Sequence, residues 1–193
     1  MNKSNFNRFM LYLNNKQFSP SDANLILKKT RELTQSIEII IRDCRISTKF
    51  IELDVSISKE YNVDKVLNLL KPISSIKELI EVKERHFPKN EAINNAIVLF
   101  NEEKYWWSHE ALEMIWKESN GEEKQLLNGL ILVCAAFVHY QKDEYNVCLS
   151  ILERSMIKFS SVKQSNYYKI NIDEIKKRIT KILQSKEIVQ LIL

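Results

Sequence analysis

Two histidines and one glutamate carry most of the chemistry this sequence can offer: His109, Glu113 and His139. His109 and Glu113 are four residues apart, so on a helix their side chains lie one turn above the other and can meet. Trp116 follows on the same face. Two imidazoles and a carboxylate suit a zinc site with an open coordination position. They equally suit an acid–base pair tuned by burial. His109 and Glu113 are therefore the candidate catalytic residues, and with His139 the candidate metal ligands. The candidate ligand-binding set is His109, Glu113, Trp116 and His139. A plainer reading competes: His109 and Glu113 hydrogen-bond each other and nearby backbone, with Trp106 and Trp116 as core. Glu110 points toward the other edge of that helix and reads as solvated. The residues specify no cofactor.

These side chains need two helices to position them. Residues 105–118 contain no Gly or Pro, and charged and apolar residues recur with helical period. Trp106, His109, Leu112, Glu113 and Trp116 fall within one third of the circumference. A second helix is expected from about Glu122 to Gln141, opening on Glu122 and Glu123, which suit the positive end of a helix dipole. The longest uncharged run of the chain, Gln125 to Gln141, lies in it. That run is at the short limit for a membrane span and contains Asn128 and His139, so a buried bundle helix fits better. Gly129 in mid-helix costs about 1 kcal/mol relative to Ala, which is tolerable where a neighbouring helix must come close. Asn128, Leu132, Ala135 and His139 share a stripe, so His139 needs a partner. The turn near Asn120-Gly121 makes the two helices neighbours. A straight hairpin offsets His109 from His139 by roughly 10 Å, so their convergence needs an offset crossing or another helix between them.

His109-Glu110-x-x-Glu113-x-x-Trp116, then Gly129-Leu130-Ile131 and His139-Tyr140, resembles the signature of the domain of unknown function 309 family. The resemblance covers roughly Asn90 to Lys158. It implies a compact all-helical domain with hairpins similar to those of tetratricopeptide-like proteins, and no activity. Trp106-Trp107 stand where the family has a Phe and a small or acidic residue. Its Gly-Asn turn is Asp143-Glu144 here, and its small Gly-Ala pair is Val147-Cys148.

The chain of 193 residues is long enough for one large domain or two small ones. Residues 1–89 hold 16 basic and 11 acidic side chains, and the remainder 13 and 14, an asymmetry well short of a nucleic-acid stripe. Cys44, Cys134 and Cys148 are scattered and odd in number, as expected of reduced thiols in a cytoplasmic protein. The opening MNKSNFNRFM has no apolar signal region. With only Gly121 and Gly129, no Walker loop, dinucleotide fingerprint or phosphate nest can form. Neither a zincin HExxH nor a di-iron Glu-x-x-His pair is present.

Residues 1–87 have another texture. An apolar run at 9–13 precedes Ser19-Pro20-Ser21-Asp22, a helix start, with the helix reaching about Thr34. Residues 37–42 are rich in β-branched side chains, and 50–58 alternate strictly, Ile51, Leu53, Val55 and Ile57 facing one way. Asp43 to Thr48 is expected to join them. A short helix opens at Asn62 or Asp64, and a last strand falls within 76–84. The order βαββαβ is that of ferredoxin-like domains, with both helices on one face and the other face open. Phe6, Phe9, Tyr12 and Phe50 invite comparison with RNA-recognition sheets, but Glu52 and Asp54 would repel phosphate.

The expected fold class is α+β, a ferredoxin-like domain at 1–87 followed by a helical bundle at 88–193, divided near Pro88. Helices at about 91–100, 144–159 and after Asn171 or Asp173 complete the bundle, a polar loop spans 160–169, and the apolar tail 188–193 either docks or meets a partner. The expected function is a cytoplasmic binding module whose groove takes a protein, a peptide or a small molecule. A metal-dependent or acid–base hydrolase-like enzyme using His109, Glu113 and His139 is the alternative. Nucleic-acid binding through the sheet ranks behind both, no membrane association is expected, and a homodimer is compatible with the sheet.

Overall fold

The computed structural model describes residues 5–83 and 86–193. The chain divides into two compact units, Met1–Glu84 with Gln141–Asp143, and Arg85–Tyr140 with Glu144–Leu193. The end of the 76–84 stretch, where the last strand was expected to finish, lies outside the described residues.

The first unit is built on four strands, β1 (Phe6–Asn14), β2 (Ile39–Ile46), β3 (Phe50–Ser58) and β4 (Ile76–Glu81), with helices α1 (Ala23–Leu33) and α2 (Val63–Leu70). Strand order is β2-β3-β1-β4 with every neighbour antiparallel, the split βαβ arrangement. Asn62 caps α2, its side-chain oxygen accepting from the Asp64 amide at 2.8 Å. The alternation of β3 sends Leu53, Val55 and Ile57 into a core with Leu11 and Leu13 of β1, Ala23 and Ile26 of α1, and Val66 and Leu70 of α2.

Two expectations about this unit need correction, and one feature between them was not foreseen. First, β2 runs on through Ile46, so the connection to β3 is shorter than Asp43 to Thr48. Residues 43–46 keep pairing with 51–54 past a bulge at Arg42, where Ile41 pairs with Val55 and Asp43 with Asp54, leaving one residue over. Second, the bulge reverses the facing of the rest of β2. Cys44 and Ile46 join the helix-side core, while Asp43 and Arg45 turn to the opposite face beside Glu52. Third, that opposite face is not open. All nine residues of β3 are buried. Arg45 and Glu52, each 2 % exposed, form an ion pair, the Tyr12 hydroxyl donates to Glu52, and Arg8 grips Asp54 with two hydrogen bonds of 2.9 and 2.6 Å. Buried charges persist only when paired in this way. Tyr12 and Phe50 meet edge to face at 4.9 Å and are both buried, whereas Phe9 packs on the helix side. These aromatics therefore do not make a platform for stacking bases.

The second unit is helical: α3 (Lys89–Asn101), α4 (Tyr105–Glu118), α5 (Gly121–Tyr140), α6 (Tyr145–Phe159) and α7 (Ile172–Ser185). A short hairpin of two two-residue strands, β5 (Asn166–Tyr167) and β6 (Ile170–Asn171), closes the polar loop expected at 160–169. Helix α5 buries Leu126, Leu127, Gly129, Leu130, Val133, Cys134, Ala136 and Phe137, as a central bundle helix should. Rings of Phe100, Tyr105 and Phe137 meet at 4.8 to 5.8 Å and join α3, α4 and α5. No helix among the described residues is long and apolar enough to cross a membrane. The tail docks: Leu191 is fully buried, and the Asn101 amide pairs with both the amide and the carbonyl of Leu193.

Candidate functional site

Helix α4 explains where the candidate residues stand. Its buried positions are Tyr105, Ser108, Ala111, Leu112 and Ile115, spaced three and four apart along one stripe. Ser108 anchors that stripe by donating to the Ala96 carbonyl of α3 at 2.9 Å. His109, Glu113 and Trp116 lie beside it, at the margin between core and solvent, and all are half-buried.

His109 Nδ1 lies 3.4 Å from Glu110 Oε1 and 3.9 Å from Glu113 Oε2. Neither approach makes a hydrogen bond, and Nδ1 has no hydrogen-bond partner although the atom itself is buried. The plain pairing of His109 with Glu113 expected from their spacing is thus not formed. Glu113 Oε1 faces the Lys117 ammonium at 3.5 Å. Trp116 has the Lys124 ammonium 4.7 Å above its ring, a cation–π contact, and its indole Nε1 likewise is buried without a partner.

His139 stands apart from this cluster. Its Nδ1 contacts the Glu144 carboxylate across the turn that follows α5, and the Glu144 amide donates to the His139 carbonyl at 3.0 Å. Ligand atoms of His109, Glu110 and Glu113 all come within 4.8 Å of one another, the one such grouping among the described residues, and His139 is not in it. The set His109, Glu113 and His139 is therefore not assembled. Glu110, read from sequence as solvated, takes the third place, because a flexible glutamate one residue along can swing its carboxylate back over His109.

Other reactive groups are withdrawn from chemistry. Burial pushes the thiols of Cys44, Cys134 and Cys148 up to about 12. Burial, then the Glu103 carboxylate, raises the Tyr105 hydroxyl well above its ordinary range. The α4 face itself presents imidazole nitrogen, carboxylate oxygen and indole N–H.

Fold and cluster together define a helical-hairpin domain carrying a half-buried His/Glu/Trp face, joined in one chain to a four-stranded α+β unit. The family model of the domain of unknown function 309 (DUF309) matches residues 93–151, within the C-terminal part of the chain. A crystal structure of a conserved hypothetical protein from Thermus thermophilus is similar over 47 % of this chain and 94 % of that one, with 22 % identity and a TM-score of 0.42. No curated protein matches.

Proposed function

We propose that the half-buried face of α4 is a binding surface, and that the protein works as a binding module rather than through a nucleophile of its own. The observation that supports this reading is the pair of orphaned buried atoms, His109 Nδ1 and Trp116 Nε1, two turns apart on one face. A buried polar atom without a partner costs about 1–3 kcal/mol, and two on one stripe imply an occupant that satisfies them. Indole Nε1 can only donate, so the occupant brings an acceptor, such as a peptide carbonyl or a carboxylate. Lys117 and Lys124 at the margin favour the same polarity. The hydrolase-like alternative would draw on His109 and Glu113 without His139.

The test compares the urea stability of wild type, His109→Leu and Trp116→Phe. An orphaned atom costs the unliganded fold stability, so His109→Leu should melt no more than about 0.5 kcal/mol below wild type, or above it. Trp116→Phe should lose no more than the smaller ring and the Lys124 contact explain, about 1 kcal/mol. Losses beyond about 2 kcal/mol in His109→Leu would mean that the imidazole is a structural element, and the reading would fall.

A further inference from the structure

We infer that His109, Glu110 and Glu113 form a site for a divalent first-row transition metal. The inference rests on the reading of the α4 face as a binding surface and names one of its ligands. It concerns a different set of residues from the one the sequence suggested, with Glu110 in place of His139.

Geometry comes first. The three donor atoms lie within 4.8 Å of one another, and the two contacts to His109 Nδ1 are 3.4 and 3.9 Å. Metal–nitrogen and metal–oxygen bonds of about 2.0–2.2 Å put neighbouring ligand atoms of a tetrahedral site roughly 3.3 Å apart. The Glu110 contact already has that spacing, and Glu113 closes the gap with a modest side-chain rotation.

Electrostatics argue the same way. His109 Nδ1 faces two carboxylates, is shielded from water, and hydrogen-bonds to neither. In the tautomer protonated on Nε2, its lone pair points at two negative groups, an unfavourable arrangement. A cation among the three atoms turns that repulsion into coordination. Lys117, 3.5 Å from the far oxygen Oε1 of Glu113, leaves Oε2 directed at the imidazole and steadies it there.

The donor set selects the metal. One imidazole and two carboxylates suit Zn²⁺, Mn²⁺ or Fe²⁺, while Ca²⁺ and Mg²⁺ prefer all-oxygen shells. Thiolate-seeking Cu(I) finds no ligand here, because the three thiols are buried and held protonated. Three ligands from little more than one turn of a single helix leave coordination positions free on the solvent side. An oxygen of the bound partner can fill them, next to the Trp116 N–H.

The experiment uses the full chain, purified without a metal-affinity tag and stripped with chelator. Equilibrium dialysis against Zn²⁺ should give one bound ion per chain, and Co²⁺ should produce visible d–d absorption that Zn²⁺ abolishes and millimolar Mg²⁺ does not. Glu110→Gln, a half-exposed change that leaves the core untouched, should weaken Zn²⁺ binding roughly 10-fold or more, and His109→Gln should do the same. His139→Gln should bind as wild type does. Absence of binding at millimolar Zn²⁺, or binding that Glu110→Gln and His109→Gln leave unchanged, overturns the site. If the metal site fails while His109→Leu keeps full stability, the α4 binding face stands with a metal-free ligand. If His109→Leu is severely destabilised, that wider reading fails as well.

Discussion

Gly129 of α5 lies directly under the ring of Phe159 at the end of α6: a Cβ placed on Gly129 would fall 2.5 Å from Cε1 and 2.7 Å from Cδ1. Phe159 is 1 % exposed, so its ring has no free space to retreat into. Gly129→Ala gains about 1 kcal/mol of helix propensity but forces a methyl into that contact, at about 1–3 kcal/mol. The expected net result runs from no change to a loss of about 2 kcal/mol. Denaturant melts of Gly129→Ala, Phe159→Leu and the double variant check it. The double variant should lose less than the sum of the singles, and a Gly129→Ala protein more stable than wild type would refute the close contact.

The turn after α5 offers a second test. Asp143 holds a left-handed backbone with φ of 64°, and Glu103 holds φ of 65° in the turn after α3. Each is followed by an amide that bonds back five residues, Lys104 to the Leu99 carbonyl and Glu144 to the His139 carbonyl. Both are helix ends of the Schellman type, where glycine is the easy residue. Asp143 is exposed, so the backbone effect can be isolated there. Asp143→Gly should be about 1 kcal/mol more stable than Asp143→Ala, the reverse of the order inside a helix. Equal stabilities would show that the strain is absent.

The three cysteines give a chemical test. With thiols pushed up to about 12 and buried, almost no thiolate exists in mildly alkaline buffer. A disulfide reagent should label none of them in the folded protein and all three after unfolding in urea. Fast labelling of one thiol under native conditions would contradict the burial of that residue.

A pH test rests on Glu123. The Lys89 ammonium at 2.6 Å, with the Tyr167 hydroxyl at 2.8 Å, holds its carboxyl below the usual range. A carboxyl depressed in the folded state adds stability above its unfolded value, about 4.3, and loses it as pH falls through the lower folded value. Wild type should exceed Glu123→Gln by about 1 kcal/mol at neutral pH. The gap should be full above the unfolded value, close as pH falls through it, and vanish once pH lies below the lower folded value as well. A gap that is constant with pH would mean that charge plays no part in the contact.

What the sequence disclosed and what it hid have physical causes. The alternation of β3 was legible because Ile51, Leu53, Val55 and Ile57 keep a strict period of two, and every later element of the first unit follows from that face. The bulge at Arg42 was not, since one extra residue leaves no mark in composition, yet it carries Asp43 and Arg45 to the face of Glu52. The small hairpin at 166–171 is too short to show a period. On α4 the helical count placed His109, Glu113 and Trp116 correctly on one face, because 100° steps need no knowledge of neighbours. It could not bring in Glu110, whose reach depends on side-chain torsions. Nor could it foresee that His139 turns to Glu144, a residue beyond the end of its own helix.

Glu113 decides between a structural and a working α4. Were its carboxylate there to satisfy His109, Glu113→Ala would orphan a buried imidazole and cost about 2–3 kcal/mol, while Glu113→Gln would stay near wild type. The distances speak against that role: Oε2 stands 3.9 Å from Nδ1, beyond hydrogen-bond range, and Oε1 faces Lys117 on the exposed side. Exposed pairs of that kind contribute only about 0.3–0.5 kcal/mol on a helix. Glu113→Gln, Glu113→Ala and Glu113→Leu should therefore all melt within about 1 kcal/mol of wild type, with Leu equal or higher because it extends the apolar margin beside Leu112. Zn²⁺ at saturating concentration should raise the melting temperature of wild type and leave that of Glu113→Leu almost unmoved, since a ligand stabilises only the fold that binds it. A steep loss of stability in Ala and Leu, with no zinc-dependent shift in wild type, would return the residue to a purely structural part.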